Sequence, residues 1–167
     1  MRLTDEIRYD ADRARVFAML TDADFQERKC AATGAVDCEV SIERFPDGGA
    51  TIRTQRTMPT DQLPDFARPF VGKTVLIVEV DDWQPPDPDG AREGSVVVEI
   101  KGAPVRFAGS LALRAVSGDA GTLEAIDGDI KASIPLVGGK MERALEPALK
   151  AAIRVEEREG RAWLSAG

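Results

Sequence analysis

Histidine does much of the proton transfer and metal ligation in enzymes, and this chain has 0 histidines in 167 residues. Every histidine triad, histidine general base and histidine metal site is thereby excluded. Chemistry falls to arginines, carboxylates, the single tyrosine and the two cysteines. Arg56 shares strand parity with Ile52, Thr54 and Met58, so a regular strand aims its guanidinium where apolar side chains are expected. There it could grip a carboxylate or phosphate with a bidentate fork; a bulge or an early strand end would instead release it to solvent. Asp127 and Asp129 alternate with Ile126 and Ile130, and the isoleucines claim the inward face. An enzyme would need an inward carboxyl from Asp127, Asp129 or Glu124, because burial in an apolar cavity raises a carboxyl pKa toward acid–base use.

The remaining candidates are weaker. Tyr9 ends a strand, where its hydroxyl serves either a ligand carbonyl or a structural hydrogen bond. Cys30 and Cys38 are close enough in sequence for a bridge, yet two cysteines fit a reducing compartment better than a disulfide framework. Without histidine only carboxylates remain to complete a metal site, so neither metal nor cofactor is expected. Gly138-Gly139-Lys140 lacks the other residues of a P-loop, and no serine or cysteine has a plausible base. The run Arg154–Glu159 reads as a solvated helix face with i,i+4 pairs.

Composition bounds the rest. Apolar residues make up 43% and charged residues 31%, a globular mixture of the size of one domain spanning 1–167. With 22 basic against 29 acidic residues the net charge is −7, the opposite of a nucleic-acid footprint, so no nucleic acid partner is expected. Apolar runs such as Val75–Val78 are far too short to span a bilayer, which implies no integral membrane segment; with no leader pattern, a soluble cytoplasmic protein is expected.

The elements that must position these residues follow from period and punctuation. Leu3, Ile7 and Tyr9 alternate as a strand, Asp10–Asp12 offer caps to a helix carrying Val16, Phe17 and Leu20, and Thr21 with Asp24 opens a second short helix ending near Gly34. Residues 36–58 form a hairpin around Pro46-Asp47-Gly48-Gly49. The proline-broken segment 59–72 reads as a flap carrying Leu63, Phe66 and Phe70. Strands follow at 74–83, 95–101, 105–116 and 122–134, the last two joined through Ser117-Gly118-Asp119-Ala120-Gly121. Met141, Leu145, Ala148, Ala152 and Val155 mark a long amphipathic helix from 139 to 164, with a kink expected at Pro147.

An antiparallel sheet with one apolar face must cover it, and the terminal helix is the only element long enough. The α+β pattern of about seven strands curved around one helix, with two short helices after the first strand, resembles the helix-grip fold of the START-like superfamily of birch-allergen-type proteins and polyketide cyclases. The resemblance rests on Tyr9–Asp22 and on Gly128–Glu142 with its Pro-Leu-Val-Gly-Gly-Lys stretch. That second stretch is similar to a bacterial family catalogued as domain of unknown function 2505. The resemblance implies a hydrophobic small molecule, lipid or polyketide-like, between sheet and helix. Residues on the inward parity then become its cavity candidates: Phe17, Phe25, Ile52, Arg56, Met58, Phe66, Phe70, Phe107, Leu111, Ile126, Met141, Leu145 and Leu149. A cyclase or aromatase-like enzyme, or a chaperone-like module that receives an apolar peptide near the flap, are the alternatives.

Overall fold

Seven strands alternate inward and outward side chains, and one long helix covers the inward face. The computed structural model describes residues 1–116 and 120–167, so part of the expected turn Ser117–Gly121, namely 117–119, lies outside the described residues. The elements are β1 (Arg2–Tyr9), α1 (Arg13–Leu20), α2 (Ala23–Ala32), β2 (Asp37–Arg44), β3 (Ala50–Pro59), β4 (Thr74–Trp83), β5 (Arg92–Ile100), β6 (Val105–Ala115), β7 (Thr122–Ala132) and α3 (Gly138–Ala166). All neighbours pair antiparallel in the order β1-β7-β6-β5-β4-β3-β2. β5 starts at Arg92 rather than Ser95, because Arg92 already pairs with Leu113 and Gly94 with Trp83.

Local chemistry explains the helix starts. Asp12 caps α1 by accepting from the Arg15 N–H at 2.8 Å. The cap of α2 is Asp22 and not Thr21: its carboxylate accepts from the N–H groups of Asp24 and Phe25, while the Thr21 hydroxyl donates back to the Phe17 carbonyl at 2.8 Å. An anionic acceptor serves a helix N-terminus better than a hydroxyl already engaged in the preceding turn. α2 ends at Gly34, whose φ of +88° glycine accepts without strain.

α3 runs for 29 residues, about 44 Å at 1.5 Å per residue, and is continuous across Pro147. Pro147 and Arg143, the residue whose carbonyl loses its partner, are both exposed. No helix of the described residues is long and apolar enough to cross a membrane.

The closed part of the core joins Ile7 and Tyr9 of β1, Met19 of α1, Phe25 of α2 and Trp163 of α3. Gly160 lets α3 approach it, since a Cβ there would stand 2.7 Å from Tyr9 Cε1. Across the sheet, Gly109 faces Gly128, and a Cβ on either would fall within 2.3 or 2.5 Å of a backbone oxygen of the adjoining strand. Paired glycines at this close approach mark where the sheet bends around the helix.

Candidate functional site

A cavity of about 590 Å³ lies between the open half of the sheet and α3. Its floor is Ile77, Val98, Ile100, Val105, Phe107 and Ile130, one parity of four successive strands. Its roof is Leu145, Ala148, Leu149, Ala151, Ala152 and Val155. Alanines on the roof are the local reason for the space, because side chains that short cannot reach the floor. Thr33 and Gly34 after α2, Met58 on β3, and Asp61 and Gln62 of the flap form the rim.

At the inner end Arg56 separates this cavity from a second, polar chamber of about 70 Å³. Six ionisable side chains from five elements meet there: Lys29 (α2), Arg56 (β3), Glu79 and Asp81 (β4), Glu124 (β7) and Glu156 (α3). Lys29, with its side chain 5% exposed, is bonded to Glu156 at 2.7 Å and paired with Glu79 at 3.5 Å. Arg56, 7% exposed, donates from Nη2 to Glu79 at 3.0 Å, while its Nε has no partner.

The electrostatics follow from burial and neighbours. Burial opposes charge on Lys29, but Glu156, Glu79 and Asp81 outweigh it and hold the ammonium above its ordinary range. Burial likewise pushes Glu79 up, and Lys29 with Arg56 more than reverses that, leaving it below its ordinary range. Lys29 also acts on Asp81 and Glu124, and Arg56 on Asp81, but neither cation contacts them and the effect does not reverse burial. Burial, reinforced by Glu79 for Asp81 and by Glu156 for Glu124, pushes both well above the carboxylate range. Of the four carboxyls, Glu79 and Glu156 are the two that contact the cations.

Tyr9 is buried and pushed above the usual phenol range, by burial first and Glu124 second; its hydroxyl has no partner. Cys30 and Cys38 are free thiols; burial and hydrogen bonding with Cys30 push Cys38 up to about 12. A thiol so shifted is not a nucleophile near neutral pH. Among the described residues no group of three or more His, Cys, Asp or Glu is disposed to hold a metal ion.

The inward-parity residues separate into three places. Arg56, Met58, Phe107, Leu145 and Leu149 line the large cavity; Leu111 and Ile126 line the polar chamber. Phe17, Phe25 and Ile52 instead belong to the closed core. Phe17 lies under the Arg92 guanidinium at 3.4 Å and edge-on to Trp83, and Phe25 meets Trp163 edge-on at 5.7 Å. The flap residues are also displaced from the cavity. Phe66 packs under Lys140 and, with Met141, joins a separate cluster around Ala67, Val105 and Ala132, while Phe70 is 39% exposed. The flap folds back on itself at its base, where the Thr60 hydroxyl donates to the Gly72 carbonyl at 2.6 Å. Asp127 faces outward and pairs with Arg2 at 2.5 Å, and Asp129 is exposed.

Four members of the polar chamber escape a reading by pattern. Lys29 sits in a helix otherwise recognised by Phe25. Glu156 belongs to the Arg154–Glu159 run, of which Arg154, Glu157 and Arg161 do form i,i+3 and i,i+4 pairs at the surface while Glu156 turns inward. In Val78-Glu79-Val80-Asp81 the valines suggest the inward parity, yet the acids take it. The signal for them was Trp83, which shares their parity and enters the core. Glu124 was legible from its parity with Ile126.

The chain's relatives agree with this architecture. An uncharacterised protein of Mycobacterium tuberculosis is 23% identical over 163 residues, 94% of this chain and 92% of that protein. The crystal structure of the Zhui aromatase/cyclase from Streptomyces superposes with a TM-score of 0.59 at 9% identity, covering 97% of this chain and 92% of that one. A START superfamily protein from Mycobacterium smegmatis gives a TM-score of 0.59 at 11% identity over 97% of this chain and 98% of that chain. Identities this low carry the fold, and the fold is START-like helix-grip. The family model described as Protein of unknown function (DUF2505) matches residues 4–164, and the chain belongs to that family.

Proposed function

We propose that this protein holds a hydrophobic small molecule, lipid or polyketide-like, in the cavity between sheet and α3. The observation that carries the reading is the cavity itself: about 590 Å³, walled by apolar side chains from four strands and one helix, with a single buried cation at its inner end. Small-molecule sites have this size and this composition of apolar wall and few polar groups. Native mass spectrometry of the freshly purified protein, followed by organic extraction, tests it. The expected result is a discrete apolar mass that is retained by the parent and lost in Leu145→Trp, whose indole enters the cavity. A clean apo mass, unchanged after challenge with fatty acids and aromatic polyketides, overturns the proposal.

A second reading has its own support. Glu124 and Asp81 are inward carboxyls that burial pushes well above the carboxylate range, and a raised acid beside an apolar site is the requirement for proton donation to a bound carbonyl. Both lie in the inner chamber behind Arg56, so this chemistry would act on the end of a ligand that reaches past the guanidinium. The chaperone-like alternative loses support, since the flap surface is formed largely by Asp61, Gln62, Asp65 and Arg68, with Phe70 its one exposed large apolar side chain.

A further inference from the structure

Arg56 is the one residue at the inner end of the cavity that offers a polar group to a ligand lying in it. It lines both spaces, its side chain is 93% buried, and of its guanidinium only Nη2 is bonded, to Glu79; Nε is sealed off, which leaves the Nη1 donor to face the open space without an acceptor among the described residues. A buried guanidinium donor without an acceptor is costly unless a ligand atom completes it.

The surrounding charges restrict what that atom can be. Lys29 and Arg56 are already answered by Glu79 and Glu156, and the Asp81 and Glu124 carboxyls stand in the same chamber. A ligand carboxylate at Arg56 would bring a third negative charge to a pair of cations already satisfied, in a site with little water to screen it. A ligand ammonium would meet the Arg56 guanidinium first, since that is the charge facing the large cavity at this end. An uncharged oxygen avoids both penalties and supplies the missing acceptor.

Resting on the cavity reading above, we propose that the ligand is a neutral amphiphile, a long-chain ketone or alcohol in chemical class, whose oxygen accepts a hydrogen bond from Arg56 Nη1. Its chain lies over Val98, Phe107 and Leu149, the apolar residues that flank Arg56 in both spaces.

The test compares four probes of matched chain length on the native protein by calorimetry: 2-dodecanone, 1-dodecanol, dodecanoate and dodecylamine. The ketone and alcohol are expected to bind about tenfold tighter than either ion, the discrimination one well-made hydrogen bond in a dry site provides. The infrared carbonyl stretch of bound 2-dodecanone should shift to lower frequency than in hydrocarbon. In the double variant Arg56→Met with Glu79→Gln, which removes one charge of each sign together, the stretch should return to its hydrocarbon position and ketone affinity should fall about tenfold. If dodecanoate or dodecylamine binds as tightly as the ketone, or the stretch does not move on the native protein, the head-group inference is overturned and the cavity reading stands. If none of the four binds the folded native protein, the cavity reading itself is overturned and takes this inference with it. The probe comparison and the native spectrum decide the matter even if the double variant does not fold.

Discussion

The two ends of the space beneath α3 are built from the same sheet and the same helix, yet one is solid and the other hollow. At the solid end Tyr9, Met19, Phe25 and Trp163 interlock, and α1 and α2 add a further layer. At the hollow end α3 presents Ala148, Ala151 and Ala152, and the only additional cover is the flap, which packs to one side. The difference teaches that a helix-grip sheet does not make a cavity by itself. Side-chain length on the covering helix, and whether a second helix overlies the sheet, decide which end fills. The polar chamber sits between the two ends, where close packing stops and open space begins.

That division can be broken most strongly at Lys29. Lys29→Met removes the cation that answers Glu156, leaving that carboxylate unpaired and Glu79 with Arg56 alone, and should cost about 4 kcal/mol in urea denaturation, in the range for breaking a buried pair. A cost below about 1 kcal/mol would mean that water reaches the chamber freely.

A pair of substitutions tests solid against hollow. Phe25→Ala, at 0% exposure, should cost about 3 kcal/mol, whereas Ala152→Leu, which enlarges a side chain facing the cavity, should change stability by less than about 1 kcal/mol in either direction. Equal large losses at both positions would contradict an open cavity, because enlarging a side chain is costly only where space is already filled.

The smallest effect concerns pH. Burial raises the Glu124 and Asp81 carboxyls, so the folded chain keeps protons that the unfolded chain releases once pH passes the ordinary carboxylate range of about 4. The unfolded state then binds fewer protons than the folded state, and stability falls as pH rises toward the folded-state pKa. Glu124→Gln cannot ionise and retains an N–H to donate toward Glu156. Its Tm should exceed the parent's near pH 8 by on the order of a few degrees, with the gap closing toward pH 4. A gap that instead widens on acidification would place a negative charge on Glu124 in the fold.

Much of this was legible in the sequence, for identifiable reasons. Alternation gave the strands, though not the start of β5, and the inward aim of Arg56, because a period of two has no neutral position: a side chain on that parity faces the helix or the strand is irregular. The terminal helix declared itself by its apolar stripe. What alternation does not carry is how far a side chain reaches once inside. Phe17, Phe25 and Ile52 are inward residues, but α1 and α2 press upon them and close the space, a tertiary fact with no local signature. Lys29 and Glu156 failed for a related reason. Each reads as a surface charge on its own helix, and only the crossing of α2 with α3 makes them partners. Glu79 and Asp81 invert the rule that valine marks the inside, which is tolerable because two cations meet Glu79 there while burial raises the Asp81 carboxyl.

The pairing of β1 with β7 bears on how the chain comes to exist at all. Arg2 must find Asp129, and Tyr9 must find Thr122, so β1 has no sheet partner until the six later strands have been made. The hairpins from β2 to β7 close locally and early, while this long-range pairing carries the largest loop-closure cost and forms late. α3 follows β7 in the chain, so the cavity roof leaves the ribosome after the whole sheet. Throughout synthesis the inward face of the meander is uncovered, and an apolar molecule present in the cell meets that face before the helix arrives.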